Sequence, residues 1–195
     1  MVRIKILFTV ALVSLCSVAF SQQKDSTKVR LNHYTFMVGA GWTHYYNNLE
    51  NGDENIKNNS LGASFKFFWE PEHRLSLGLQ TGYYKLFQVT NQVGQDTSVQ
   101  IDRSLIPFLL LVRMRIIDNV YLGAGVGISV MTNTAAGVNQ EISTNMTSLA
   151  NLEVAGSYLY PLSKHWIVGG ELKLFYSGSM EDWIYSVQAV CAFKL

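Results

Sequence analysis

Val120-Tyr121-Leu122-Gly123-Ala124-Gly125-Val126-Gly127-Ile128-Ser129-Val130 is the stretch that decides the fold. Its even-numbered residues are all apolar, and they alternate with Tyr121, Gly123, Gly125, Gly127 and Ser129. Strict period-two alternation marks a strand whose two faces meet different surroundings. Glycine weakens an open strand, so a face carrying three glycines is one where space is short.

The same alternation spreads in both directions. Leu61, Ala63, Phe65, Phe67 and Trp69 alternate with Ser60, Gly62, Ser64, Lys66 and Glu70. Over 75–87, Leu75, Leu77, Leu79 and Tyr83 alternate with Ser76, Gly78, Gln80 and Gly82. It returns at 33–46, 103–116, 147–160, 165–176 and 183–195. These are eight strands, each able to supply the 9–11 residues that a tilted strand needs to cross a bilayer. Between them, Pro71–Arg74, the region of Ile117–Asn119 and Pro161–Lys164 read as tight turns. Asn47–Asn59, Gln88–Ser98 and Thr132–Asn145 read as long polar loops, with Ser177–Asp182 intermediate. Short turns on one side and long loops on the other describe an all-β, up-and-down transmembrane barrel of eight antiparallel strands. An even strand number puts both termini on the short-turn, periplasmic side.

A soluble barrel would also alternate, but with its apolar face turned inward. Volume decides against that. The apolar faces carry roughly 40 mostly bulky side chains, and an eight-stranded interior only just holds a small fill. The Gly- and Ser-rich face, with Gly39, Gly41, Gly62, Gly78, Gly82, Gly123, Gly125, Gly127 and Gly169, is the one that fits a narrow lumen. The bulky face therefore meets lipid. Tyr34, Trp69, Tyr158, Tyr160, Trp166 and Phe193 fall toward the short-turn end, and Trp42, Tyr83, Tyr176, Trp183 and Tyr185 toward the other. Two bands of amphipathic rings are what membrane interfaces select.

The N-terminus agrees. Arg3 and Lys5 precede an apolar run from Ile6 to Phe20, and Ala19-Phe20-Ser21 supplies small residues for a peptidase. This is the pattern of a secretory signal peptide, expected to span 1–21, with a periplasmic lead over 22–32 and the barrel over 33–195. Cys16 belongs to the signal core, since Leu15 before it is bulky for lipid attachment. Loss of Arg3 and Lys5 moves the formal charge from +1 to −1, and no basic face of the kind that binds nucleic acid is left. Only Cys191 remains, so an internal disulfide is excluded. Charged residues are 15% of the chain, against about 25% in an ordinary soluble protein. No stretch after residue 21 reaches the length of a membrane helix.

The strand over 103–116 is apolar on both faces at Leu105–Val112, and parity resolves it. Arg103, Pro107, Arg113 and Arg115 share the luminal face with Leu105, Leu109 and Leu111, while Ile106, Phe108, Leu110, Val112 and Met114 point to lipid. A turn centred near Ile117 would set Leu109 and Leu111 against Gly125 and Gly123. Pro107 cannot donate to a neighbouring strand, so a bulge or a missing ladder bond is expected there.

Leu105-Ile106-Pro107-Phe108-Leu109-Leu110-Leu111-Val112-Arg113-Met114-Arg115, followed by Tyr121-Leu122-Gly123-Ala124-Gly125-Val126-Gly127, resembles the small bacterial outer-membrane barrels of the porin-family or PorT-like group. These are similar in build to OmpA/OmpX-like eight-stranded barrels. The resemblance implies a cell-envelope membrane protein and allows a role beside a secretion or transport machine. It also implies insertion by the barrel-assembly machinery, for which this chain offers Phe193 before a terminal Leu195.

The chemistry-bearing motifs are sparse. Gly123-Ala124-Gly125-Val126-Gly127 lacks the strand–turn–helix setting of a dinucleotide loop, so it packs the lumen. His33 and His44 have opposite parity, and His73 and His165 sit at turns, so no metal site and no cofactor are expected. A lipid A deacylase couples a strand histidine to a nearby serine, whereas His44 is followed by Tyr45, Tyr46 and Asn47. Nothing sets a nucleophile against a base, and the chain is not expected to be an enzyme. In the lumen, a turn at Pro161–Lys164 would place Glu153 directly opposite Glu171. Lys173 lies on the same face, and Arg113, Arg103 and Lys66 can reach in from other walls. The expected result is a buried charge cluster that holds the lumen shut rather than a catalytic pair. The long and intermediate loops carry Glu50, Asp53, Glu54, Asp96, Glu141, Glu181 and Asp182 against Lys57 alone. They are either a solvated acidic surface or a place where divalent cations bridge to lipopolysaccharide. The function expected is structural or surface interaction among outer-membrane lipid and lipopolysaccharide, with a possible protein partner at the loops. A narrow channel or a secretion accessory is the alternative, and a membrane enzyme acting on lipid A comes last.

Overall fold

The computed structural model describes residues 33–46, 56–71, 74–92, 98–136, 141–178 and 182–195. The expected signal peptide, the lead before the barrel, and Glu50, Asp53, Glu54, Asp96 and Glu181 lie outside them. Eight long strands are present: β1 (His33–Tyr46), β2 (Asn59–Glu70), β3 (Leu75–Gln92), β4 (Ser98–Ile117), β5 (Val120–Ala136), β6 (Glu141–Pro161), β7 (Trp166–Ser177) and β8 (Asp182–Lys194). A two-residue ladder segment, Ile56–Lys57, precedes β2 and pairs with β3. Each strand pairs antiparallel with the next, and β1 pairs with both β2 and β8. That last pairing closes the barrel, so every strand has two neighbours and the backbone can cross a membrane satisfied. Among the described residues no helix is long and apolar enough to cross a membrane.

Side chains divide as the alternation requires. Val38, Leu61, Leu79, Leu110, Val126, Tyr158, Leu172 and Val187 are exposed on the outside. Met37, Phe68, Leu105, Leu109, Leu111, Leu159, Phe175 and Val190 are buried within. Glycine lets the walls approach. A Cβ at Gly127 would lie 2.1 Å from the Phe108 carbonyl oxygen, and one at Gly169 1.9 Å from that of Tyr158. At the short-turn end, Arg115 N–H donates to the Arg74 carbonyl, Leu159 N–H to that of Asn119 and Lys194 N–H to that of His165. These bonds stitch neighbouring turns into a rim.

Several expectations need correcting. β3 and β4 run on to Gln92 and from Ser98, and β5 and β6 to Ala136 and from Glu141. Most of the supposed loops Gln88–Ser98 and Thr132–Asn145 is therefore ladder. The turn between β4 and β5 is Asp118–Asn119, with an irregularity between Arg115 and Ile117, so Leu109 pairs with Gly127, Leu111 with Gly125 and Arg113 with Gly123. Bulky still meets small: a Cβ at Gly125 would sit 2.5 Å from Leu111 Cδ2. The β6–β7 turn occupies Leu162–His165, which pairs Glu153 with Phe175 and Ser157 with Glu171. The two glutamates are not directly opposed. Around Pro107 the β3–β4 ladder skips from Thr81↔Phe108 to Tyr84↔Leu105, and a bulge follows between Lys85 and Phe87.

Candidate functional site

The lumen holds the concentrated charge. Inward parity on β2 brings Ser64, Lys66 and Phe68 to the interior, on β6 Glu153, and on β7 Glu171 and Lys173. Lys66 Nζ donates to both oxygens of Glu171 at 2.7 Å and lies 3.9 Å from Glu153 Oε1. Lys173 Nζ is 3.1 Å from Glu171 Oε1 and donates to Ser64 Oγ at 2.9 Å and to the Tyr84 hydroxyl at 3.1 Å. Gln80 Nε2 donates to Glu153 Oε2 at 2.5 Å, and Ser64 Oγ donates to Gln188 Oε1 at 2.7 Å. Glu153, Glu171, Lys66 and Lys173 are each at most 5% exposed. Burying charges costs several kcal/mol per ion unless partners compensate. Here two carboxylates meet two ammonium groups, and the cluster is formally neutral.

The other two residues expected there make their direct contacts elsewhere, although Arg113 borders the same void as Lys66, Glu153 and Glu171. Arg113 lies toward the short-turn end, its Nη2 2.8 Å from Glu70 Oε1. Its guanidinium is 3.9 Å from the Phe68 ring centroid and 4.8 Å from that of Tyr121. Glu70 also holds Lys194 at 3.3 Å. Arg103 is at the far end of β4, where Nε donates to Asn133 Oδ1 at 2.5 Å and the guanidinium lies over Phe87. At the same end the Tyr45 hydroxyl donates to Asp182. Sequence reading did not single out Gln80, Tyr84, Ser64 or Gln188 as partners. All four lie on the inward parity that singled out Lys66, and that was the available signal.

Two voids in the lumen offer about 10 Å³ each, near the least that admits one water. One is bounded by Lys66, Arg113, Glu153, Ser157 and Glu171, the other by Tyr84, Leu105, Glu153 and Lys173. Both lysines engage Glu171, whereas Glu153 is held by Gln80 with Lys66 at 3.9 Å. His33 and His165 meet the main-chain oxygens of Leu195 and Lys194, and His44 meets Asn59. Among the described residues no group of three or more His, Cys, Asp or Glu is placed to hold a metal.

Solved structures match the barrel from end to end. Ail, the attachment invasion locus protein of Yersinia pestis, solved with the heparin analogue sucrose octasulfate, covers 84% of this chain and 99% of its own, with a TM-score of 0.57 at 11% identity. The fold is that of the small outer-membrane barrels. Neisserial surface protein A gives a TM-score of 0.54 at 11% identity, covering 83% of this chain and 97% of its own. OprG of Pseudomonas aeruginosa gives 0.50 at 11% identity, covering 84% and 97%. The sequence matches no protein-family model and none of the curated proteins.

Proposed function

We propose that this chain is an integral protein of a bacterial outer membrane with a structural and surface-interaction role, its lumen shut by side chains and its long-strand end turned outward. The observation that carries the reading is the filled interior inside an apolar belt. Lys66, Glu171, Lys173 and Glu153 tie β2, β6 and β7 together across the lumen, and Arg113 with Glu70 does the same for β4 and β2. An aqueous channel needs about sixteen strands, whereas eight leave room only for side-chain fill. The signal peptide over 1–21 and periplasmic termini are part of this proposal, as is insertion by the barrel-assembly machinery. Contacts with lipopolysaccharide and with proteins at the loops belong to it as well. The reading includes no reaction, because the buried carboxylates are occupied by ion pairs.

Conductance tests it. Purified protein in planar bilayers is expected to give no large, steady current at neutral pH. A stable open level of porin size would replace the closed lumen with a channel reading.

A further inference from the structure

The inward glycines of β5 are not alike. Arg113 of β4, Gly123 of β5 and Ala155 of β6 stand in one row, and Leu111, Gly125 and Glu153 in the next. Between β4 and β6 the inner face of β5 is therefore bare backbone at two successive inward positions. Over Gly125 the room is used, since a Cβ there would meet Leu111 Cδ2 at 2.5 Å. Over Gly127 it would strike the Phe108 carbonyl oxygen at 2.1 Å. Over Gly123 the nearest atom would be the Val112 carbonyl oxygen at 3.5 Å, an ordinary contact distance. An alanine would fit at 123, so close packing of the walls does not account for this glycine.

Gly123 borders one of the two lumen voids, of about 10 Å³, together with Lys66, Arg113, Glu153, Ser157 and Glu171. Two of these residues carry unused hydrogen-bonding atoms. Arg113 is 5% exposed. Its Nη2 donates to Glu70, but Nε and Nη1 have no hydrogen-bond partner among the described residues. Glu153 is 3% exposed. Its Oε2 accepts from Gln80, while Oε1 has no such partner there and Lys66 Nζ stands 3.9 Å away. Buried polar atoms are in the large majority hydrogen-bonded, to protein or to ordered water. The rim of the void narrows what can satisfy these. A cation would face Arg113 and Lys66, and an anion would face Glu153 and Glu171. A neutral molecule must accept from the guanidinium and donate to the carboxylate, in a volume that admits one water.

We propose that a single water molecule is bound beside Gly123, accepting a hydrogen bond from the Arg113 guanidinium and donating one to Glu153 Oε1. Its second hydrogen is left for Ser157 or Glu171 on the same rim. The water joins two groups that have no direct bond between them. One is the set of ion pairs that Glu70 makes with Arg113 and Lys194 toward the short turns. The other is the cluster of Lys66, Glu153, Glu171 and Lys173. With the water in place the lumen is closed by one polar network that runs from Lys194 to Tyr84. Gly123 makes the room, because a side chain there would stand where the water does. This deepens the closed-lumen reading above and rests on it.

The test uses the whole protein in lipid nanodiscs with isotope-labelled arginine, the Arg113 signal being the one missing from Arg113→Lys. A bound water is expected to give the Arg113 Nε–H a cross-peak at the water frequency whose sign differs between laboratory-frame and rotating-frame Overhauser spectra. Proton exchange gives the same sign in both. The cross-peak should persist in Ser157→Ala, which removes a hydroxyl able to relay it, and be lost in Gly123→Ala. Stability supplies a second readout with opposed signs. Replacing glycine by alanine where it fits stabilises by restricting the unfolded chain, so a dry void would raise the urea midpoint of Gly123→Ala. Displacing a bound water strands the buried atoms that it held. The midpoint is therefore expected to fall in Gly123→Ala and not in Gly156→Ala, where a Cβ points outward and meets nothing within 4 Å. Absence of the cross-peak from the unaltered protein, or a raised midpoint in Gly123→Ala, would overturn the proposal. An Arg113 Nε–H that exchanges as fast as in an exposed arginine would instead mean an open lumen, and would count against the reading on which the site rests.

Discussion

Lys66 stands between two carboxylates, and this position makes it the most consequential single residue of the lumen. It donates to both oxygens of Glu171 and is the cation nearest Glu153 Oε1. Lys173 touches Glu171 as well but leans on neutral partners, Ser64 and Tyr84. Removing one partner of a buried pair costs about 3–5 kcal/mol because a charge is left uncompensated. Lys66→Met is therefore expected to lower the urea midpoint in detergent more than Lys173→Met does. Adding Glu153→Gln to Lys66→Met should restore part of the loss. Equal effects of the two lysine changes would show that the cluster does not depend on Lys66 in this way. Glycines give a second contrast. Gly127→Ala pushes a methyl into a main-chain oxygen at 2.1 Å, whereas nothing lies within 4 Å of a Cβ at outward Gly156. Overpacking costs about 1–3 kcal/mol where side chains can adjust, and here the obstacle is backbone. Gly127→Ala should reduce the folded fraction seen by unboiled electrophoresis, and Gly156→Ala should leave it unchanged.

At the scale of the strand, position was legible and register was not. Alternation depends on which face meets lipid, so His33–Tyr46 and the inward set Lys66, Glu153, Glu171 and Lys173 could be read from period two. Pairing depends on turn length and on bulges, which leave no trace in that period. A pairing shift of four residues across the Leu162–His165 turn moved Glu153 from Glu171 to Phe175, and one of two residues across Asp118–Asn119 moved Leu111 from Gly123 to Gly125. Thr132–Asn145 looked like loop because strand beyond the bilayer has no apolar face to keep, and the alternation that marks a strand fades with it. The buried hydrogen bonds that join Asn151 to Ser129 and Ser148, and Ser148 to Ser177, were hidden for the same reason. Ala150, whose φ of 60° lies in the left-handed region, provides a test at this scale. An L-residue in the left-handed region costs roughly 1–2 kcal/mol, partly offset in a glycine variant by the entropy of its unfolded chain. Ala150→Gly should raise the unfolding free energy by up to about 1 kcal/mol, and the urea midpoint with it, whereas Ala150→Val should lower both. A fall with glycine would mean that the bend at Ala150 is not strained.

At the scale of the molecule, closure of β1 on β8 removes every edge within the bilayer. Opening the barrel means breaking whole ladders at once, with no water in the bilayer to replace their bonds. Protein extracted from membranes and left unboiled in detergent should therefore migrate faster than boiled protein, and identical migration would count heavily against a closed barrel. The unequal strand lengths have a consequence of another kind. A round post offers the same profile from every direction, but this one has a tall wall along β3–β6 and a low one along β7, β8, β1 and β2. Seen from above, it has a bearing. Neighbours that drift past meet a different silhouette according to heading, so rotation about the membrane normal changes what the protein shields and what it leaves open.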